Sequence, residues 1–169
     1  PTMAPGLVRS VILNDVGPVI EIDGLRRIRD YLSARPEPKD FVQAARALKA
    51  SHGGEFPILT DEQWLEMASA IFREVGGKIV PDYDPRLVEP LKTLDLSQPP
   101  PDLWEQFAAL KPIPLLVVRG ENSSLLSQST VEQMVNRHGN AKALLAPGQG
   151  HAPQLHVPGI ASEIADFLH

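Results

Sequence analysis

The segment of the sequence best suited to acid–base chemistry contains His151. This histidine lies in the segment PGQGHAP, residues 147–153, between a predicted strand and the last predicted helix. In open parallel sheets the reactive groups gather beyond the carboxyl ends of the strands, and neighbouring glycines let a histidine there approach a substrate closely. Imidazole gains and loses a proton near neutral pH, so His151 is a candidate general base. A loop histidine without a chemical role is an equally common use of such a position.

The elements around this segment alternate between apolar strands and amphipathic helices. In chain order they are the strand Val8 to Leu13, the strand Ile113 to Val118, the helix Ser127 to Arg137, the strand Ala141 to Ala146 and the helix Ile160 to Leu168. Alternation of this kind implies parallel strands that are joined by right-handed crossovers. The sequence therefore predicts an α/β fold with a three-stranded parallel sheet flanked by helices.

Between the first two strands the sequence predicts helices followed by a linker. The helices run from Gly24 to Ala34, from Asp40 to the Gly53-Gly54 pair, and onward from a capping box at Thr60 and Gln63. The first helix should stop before Pro36, because the residue before a proline avoids the helical conformation. Residues 76–101 are rich in proline and predict an irregular linker rather than core.

The composition excludes several classes of protein. The 169 residues are 43% hydrophobic and 22% charged, with a formal net charge of −5 and no cysteine, which indicates one ordered domain without disulfides. No run of Lys and Arg exceeds Arg26-Arg27, so no nucleic-acid partner is expected. No apolar run is long enough for a membrane span, so no membrane partner is expected either. His151 and His156 lie five residues apart without Cys or an acidic cluster nearby, so the pair does not predict a zinc site. Neither a metal nor a cofactor is expected. The cytoplasm is the default compartment.

Two stretches of the sequence resemble parts of a known protein family. The residues RGENS at 119–123, with the following helix, strand and PGQGHAP segment, resemble the last third of an α/β hydrolase. The opening VILNDVGP, residues 11–18, resembles the sixth strand of that fold and the turn into its lid. The resemblance covers almost the whole chain. It implies a partial α/β-hydrolase fold with a core strand and turn at residues 1–23, a helical cap insertion at residues 24–101, and the seventh and eighth strands with their helices at residues 102–169.

The resemblance also implies a catalytic triad, of which this sequence carries only part. In α/β hydrolases a serine in a Gly-x-Ser-x-Gly turn attacks an acyl carbon, a histidine takes its proton, and a carboxylate orients the histidine. By resemblance His151 fills the histidine position. No serine of the chain lies in such a turn, and the chain begins, at Pro1, with the strand that follows the nucleophile in the order of the family. We therefore expect a C-terminal portion of a hydrolase, inactive alone and completed by an N-terminal half.

The sequence leaves open which residue is the carboxylate of the triad. Relatives with the Arg-Gly-x-x-Ser pattern carry an aspartate where this sequence has Ser124, and a hydroxyl cannot stabilise a positive imidazolium as a carboxylate does. Of the two carboxylates that could replace it, Asp15 and Glu121, we favour Asp15. A carboxylate at the carboxyl end of a strand can point toward the crevice of His151. An Asx turn is the more common role for Asp15, and a solvated side chain is the more common role for Glu121.

Trp64 and Met67 share one face of the third predicted helix. Packing within the cap is the more common use of such a pair. Contact with substrate is the alternative, because caps in this fold line the acyl pocket.

Two functions are compatible with the sequence. In the first, the chain is part of a serine-type hydrolase that acts on a small acyl substrate, an ester or an activated carbonyl. In the second, it is a non-catalytic binding or assembly module derived from a decayed hydrolase, which Ser124 favours. Under either hypothesis the strand Val8 to Leu13 exposes an apolar edge, which the missing N-terminal half or a second copy in a homodimer should cover.

Overall fold

A computed structural model describes residues 6–34 and 37–169 of the chain. These residues form two compact units: the core unit, from the described part of residues 1–25 and 97–169, and the inserted unit, from the described part of residues 26–96. The regions predicted from the sequence (1–23, 24–101 and 102–169) remain predictions as functional divisions. The predicted beginning of the chain at Pro1 and the predicted helix stop before Pro36 lie outside the described residues.

Strands and helices alternate along the core unit, whereas the inserted unit is mostly helical. The elements are β1 (Val11–Asn14), α1 (Ile22–Ala34), α2 (Phe41–His52), α3 (Asp61–Ile71), β2 (Phe72–Val75), β3 (Lys78–Pro81), a 3₁₀ turn (Pro85–Leu87), α4 (Glu89–Thr93), α5 (Trp104–Ala108), β4 (Leu115–Gly120), α6 (Gln128–His138), β5 (Ala141–Ala146) and α7 (Pro158–Leu168). Within the described residues, no helix has both the length and the apolar character that crossing a membrane requires.

The core unit is built on a parallel sheet with the strand order β1-β4-β5. Val11 of β1 lies opposite Leu115 of β4, which in turn lies opposite Ala141 of β5, and both pairings are parallel. The predicted three-stranded parallel sheet flanked by helices is therefore confirmed. Because the strands are parallel, their carboxyl ends, and the loops that leave them, meet at one edge of the sheet.

The central strand β4 is buried on both faces. On one face Leu115 and Val117 pack with Leu126 and Met134, and none of these four side chains is exposed to solvent. On the other face Leu116 and Val118 pack with apolar side chains that include Ile160 of α7. A continuous apolar run such as that of β4 is typical of a parallel strand that is covered by helices on both sides.

Strand β1 differs from its prediction in its bounds and lies at an edge of the sheet. It begins at Val11, three residues later than the predicted Val8, and ends one residue later, at Asn14. One of its edges pairs with β4, and within the described residues no strand lies along the other. All four of its residues are half-buried. What covers the free edge in solution stays a prediction.

The inserted unit packs its helices around a core of its own. The capping box of α3 is present as predicted, because the Thr60 side chain accepts from the backbone of Gln63 and the Gln63 side chain accepts from the backbone of Thr60. The core is formed by buried apolar side chains, which are Ala44, Ala45, Leu48, Phe56, Leu59, Trp64, Ala68, Phe72 and Ile79.

The prediction of an irregular linker over residues 76–101 is wrong, because this range contains β3, the 3₁₀ turn and α4. Strands β2 and β3 form an antiparallel hairpin, in which Val75 pairs with Lys78. The two turn residues, Gly76 and Gly77, have φ of 58° and 77°, which favours a two-residue hairpin loop. Ile79 is buried in the core of the inserted unit. The prolines misled the sequence interpretation because Pro81 ends β3 rather than interrupting it.

We predict that His52 makes the stability of the chain depend on pH. His52 packs edge-to-face against Tyr31, with the ring centroids 4.7 Å apart. Burial lowers the pKa of His52 from its ordinary 6.5, and the charge of Glu55 opposes this shift. The unfolded chain therefore takes up this proton at a higher pH than the folded chain. Stability falls as the pH drops below about 6.5 and levels off below the folded pKa.

The comparison is between the wild-type chain and His52→Gln. Between about pH 8 and about pH 5, the midpoint of urea unfolding should fall more in the wild type than in the variant. Circular dichroism reports the unfolding of both chains. Equal falls in the two midpoints would show that His52 does not contribute to the pH dependence.

Candidate active site

A buried carboxylate lies at the carboxyl end of β1. Asp15 is 0% exposed, and its backbone adopts a left-handed conformation with φ of 56°, which aspartate tolerates better than most residues. Its backbone N–H donates to the Val118 carbonyl at 2.7 Å, which continues the pairing of β1 with β4. The end of the strand thus fixes where the carboxylate can point.

Three donors converge on this carboxylate. The Gly120 backbone N–H donates to Oδ1 at 2.9 Å. The Ser123 hydroxyl donates to Oδ2 at 2.6 Å. The third partner is His151, whose Nδ1 lies 2.9 Å from Oδ2. The Asp15 side chain therefore accepts hydrogen bonds from residues more than 100 positions away in sequence. It does not serve the local Asx turn that the sequence also allowed.

His151 follows β5 and presents one ring nitrogen to Asp15. A carboxylate only accepts hydrogen bonds, so the proton of the neutral imidazole lies on Nδ1 and leaves Nε2 with a free lone pair. Within the described residues Nε2 has no hydrogen-bond partner, and the side chain is 22% exposed. The pair is thus arranged so that Nε2 can take a proton from a reactant.

Glu121 supports the loop that carries His151. Its side-chain Oε2 accepts from the Gly148 backbone N–H at 2.7 Å, and its own N–H donates to the Ala146 carbonyl at 3.0 Å. The next residue, Asn122, donates its N–H to the Gln149 carbonyl at 2.9 Å. Of the two carboxylates considered from the sequence, the structure places Asp15 against His151 and Glu121 against the loop backbone.

The serine that contacts Asp15 is Ser123, which the sequence analysis did not single out. Ser124, the position at which the resemblance implies an acid, is half-buried. Its backbone carbonyl faces Gly24, where an added Cβ would lie 2.7 Å from the oxygen. The signal that could have pointed to Ser123 is its place in the RGENS segment, directly beyond the end of a buried strand.

The other two candidates, Trp64 and Met67, lie in the inserted unit. Trp64 is 2% exposed and packs edge-to-face with Phe56 at 6.2 Å between ring centroids, and Met67 packs against the same core. Their place in a substrate pocket stays a prediction. Among the residues that the structure describes, no group of three or more acidic or histidine side chains could hold a metal ion.

We predict that Gly120→Ala displaces the His151 loop. A Cβ at this position would meet the Gly150 carbonyl oxygen and lie 2.6 Å from that of Gln149. Both obstacles are backbone atoms, so the loop must move, and crowding of this kind costs about 1–3 kcal/mol of unfolding free energy.

Gly159→Ala is the matched control in the same unit. Its Cβ would meet nothing within 4 Å, and it lies in α7, where alanine is favoured over glycine by about 0.5–1 kcal/mol. Urea unfolding should show a loss for the first variant and no loss for the second. Equal stability of the two variants would contradict the close approach of Gly120 to the loop.

Comparisons with known proteins show which fold and family the chain resembles. No protein-family model matches the chain. A 3-hydroxybutyrate-oligomer hydrolase from Cupriavidus necator is 35% identical over 153 residues, which are 86% of this chain and 52% of that protein. The crystal structure of an α/β hydrolase from Novosphingobium aromaticivorans superimposes with a TM-score of 0.88 at 36% identity, over 99% of this chain and 59% of that one. A candidate hydrolase from Rickettsia typhi gives a TM-score of 0.78 at 26% identity, over 95% of this chain and 53% of that one.

The chain thus spans about half to three fifths of the length of these relatives. Over that span its fold matches the two solved structures. The agreement covers nearly all of this chain and extends to a curated hydrolase in sequence, so the chain belongs to the α/β-hydrolase fold family.

Proposed function

We propose that the chain supplies the acid–base pair of a serine-type α/β hydrolase that cleaves esters or activated carbonyls. His151 is the general base and Asp15 is the acid that orients it. The observation that carries the proposal is the 2.9 Å contact between His151 Nδ1 and Asp15 Oδ2. Both oxygens of the carboxylate are already held by other donors, so the orientation of the imidazole is set before a substrate arrives.

In the proposed reaction His151 transfers one proton in each half of the reaction, first from the serine to the leaving alcohol and then from water to the serine. Nε2 takes the proton of the nucleophilic serine as its oxygen bonds to the acyl carbon, and Asp15 stabilises the imidazolium that results. The imidazolium then gives this proton to the leaving alcohol oxygen as the acyl–oxygen bond breaks. A water molecule repeats the sequence on the acyl-enzyme, which releases the acid and restores the serine.

The nucleophile and the oxyanion hole would come from a segment outside residues 1–169. The support for this is that no serine of the chain lies in a Gly-x-Ser-x-Gly turn and that the matched relatives are longer than the chain. Without that segment the chain alone should not turn over substrate, because a base without a nucleophile loses nearly all of the covalent mechanism.

For the substrate we propose a short hydroxyacyl ester. The support is the 35% identity with a hydrolase that is named for its action on 3-hydroxybutyrate oligomers. Trp64 and Met67 remain the proposed contributors of the inserted unit to the acyl pocket. Trp64 is buried in the core of the inserted unit, so the half-buried Met67 is the one of the two that a short aliphatic chain could reach.

A chimera tests the proposal. The part of the Novosphingobium aromaticivorans hydrolase that the match does not cover is fused to this chain, and the fusion is called the completed hydrolase below. We expect it to cleave p-nitrophenyl butyrate and 3-hydroxybutyrate dimers, and we expect the completed hydrolase with His151→Ala to be inactive. Hydrolysis that survives His151→Ala would contradict the proposal, as would robust His151-dependent hydrolysis by the chain alone.

A second proposal, an assembly module, is favoured by the free edge of β1. The backbone N–H groups of Val11 and Asp15 donate toward β4, so by alternation the polar backbone groups of Ile12 and Asn14 face the free edge. A second copy could pair there and form a homodimer. Sedimentation of the chain at high concentration tests this second proposal. A dimer that Ile12→Pro disrupts supports the module, and a monomer throughout counts against it.

A further inference from the structure

The hydroxyl of Ser123 joins three groups beyond the end of β4. Its Oγ lies 2.6 Å from Asp15 Oδ2. The same oxygen lies 3.1 Å from the backbone nitrogen of Leu125 and 3.1 Å from that of Leu126. A serine hydroxyl offers one proton and two lone pairs, so these three contacts use its whole hydrogen-bonding capacity.

These contacts leave the hydroxyl proton a single direction. Leu125 and Leu126 can only donate through their backbone nitrogens, and they occupy both lone pairs of Oγ. The proton must therefore point at the Asp15 carboxylate. A distance of 2.6 Å is in the range of short hydrogen bonds between a hydroxyl and an ionised carboxylate.

The backbone holds this hydroxyl rigidly in the core unit. The Ser123 N–H donates to the Gly120 carbonyl at 3.0 Å, which closes a tight turn directly after β4. The following residues Leu125 and Leu126 are 4% and 0% exposed. Any rotation of the hydroxyl away from Asp15 would leave buried backbone donors without an acceptor.

We propose that Ser123 is a positioning residue, which fixes the Asp15 carboxylate in the orientation that His151 requires. This inference rests on the proposed function. Oδ2 of Asp15 accepts from both Ser123 and His151 Nδ1, so the serine proton sets where this oxygen meets the imidazole. Gly120 holds the other oxygen, and the two donors together prevent the carboxylate from turning about its last bond.

The first test uses the completed hydrolase. Ser123→Ala should lower kcat about 10- to 100-fold, the loss typical of one hydrogen bond to a charged group, and leave KM for p-nitrophenyl butyrate unchanged. Ser123→Thr keeps a hydroxyl and should restore most of the lost rate. Ser127→Ala is the matched control, because Ser127 also accepts from a backbone N–H at the start of α6, that of Thr130, and donates nothing to Asp15.

The second test follows the His151 Nδ1–H proton by NMR in the full 169-residue chain. Its resonance should shift or disappear through exchange with water in Ser123→Ala, move partway in Ser123→Cys, whose thiol is a weak donor, and stay in place in Ser123→Thr and Ser127→Ala. An unchanged resonance in Ser123→Ala would overturn the inference. A change in Ser123→Ala that is no larger than the change in Ser127→Ala, or no larger than that in Ser123→Thr, would overturn it as well.

The two readouts separate this inference from the proposed function. An inactive completed hydrolase contradicts the proposed function, while the Nδ1–H resonance of the chain alone still decides the role of Ser123. An active completed hydrolase in which Ser123→Ala has the wild-type kcat and an unchanged Nδ1–H resonance overturns the inference and leaves the proposed function in place.

Discussion

Asp15→Asn lowers kcat of the completed hydrolase by about 10⁴-fold, the loss expected when a triad carboxylate becomes an amide. The reason is the tautomer of His151. An asparagine can present its NH₂ group to Nδ1, which then keeps a lone pair, and the proton moves to Nε2, where the base must be free. The carboxamide also lacks the negative charge that stabilises the imidazolium.

The assay compares steady-state hydrolysis of p-nitrophenyl butyrate by the completed hydrolase and its variants. Glu121→Gln is the matched control, because it also changes one carboxylate to an amide but touches the Gly148 backbone rather than His151. It should cost far less than Asp15→Asn. A completed hydrolase that loses less than about tenfold with Asp15→Asn would mean that Asp15 is not the acid.

Asp15→Ala lowers the free energy of unfolding of the chain by about 1–3 kcal/mol for each donor that stays buried without its acceptor. The substitution leaves the Gly120 N–H, the Ser123 hydroxyl and the His151 imidazole without their acceptor at a position that is 0% exposed. Alanine also has to adopt φ of 56°, which adds roughly 1 kcal/mol for a residue with a Cβ.

Asp15→Gly separates these two costs. It removes the same side chain, but glycine adopts positive φ without strain, so this variant should be more stable than Asp15→Ala by about 1 kcal/mol. Urea unfolding of the 169-residue chain measures all three proteins. An unchanged or raised stability of both variants would contradict the dependence of the three donors on Asp15.

The sequence was sufficient for the core sheet because its signals are local. Each strand is an apolar run that ends in a turn or loop. The register that joins Leu115 to Ala141 was not predicted, because parallel pairing alone does not fix it. The hairpin of β2 and β3 was missed although Gly76-Gly77 is a two-residue hairpin signal. The surrounding prolines outweighed this signal, and the burial of Ile79, which stabilises the hairpin, is a tertiary contact.

The site was predictable in part, because the sequence signals of the strands that carry it are local. His151 and Asp15 each follow a strand of one parallel sheet, so their common edge could be inferred, and the structure brings them together. The contact of Ser123 with Asp15 could not be predicted, because the tight turn from Gly120 to Ser123 decides which hydroxyl faces Asp15. The support that Glu121 gives to Gly148 depends equally on the folded loop.

The protonated nitrogen of His151 is the most direct test of the pairing with Asp15. Long-range ¹H–¹⁵N correlation spectra of the 169-residue chain, recorded at alkaline pH where imidazoles are neutral, identify this nitrogen for each histidine. His138 is an internal reference for the opposite tautomer, in which Nε2 carries the proton. Its Nε2 lies 3.0 Å from the Leu110 carbonyl and must donate, while its Nδ1 accepts from the Asn140 N–H at 3.3 Å.

We expect the proton of His151 on Nδ1 and the proton of His138 on Nε2. Asp15→Asn should change the tautomer of His151 alone. A proton on Nε2 of His151, or an average of both forms that Asp15→Asn leaves unchanged, would contradict the acid–base pair on which the proposed hydrolase chemistry depends.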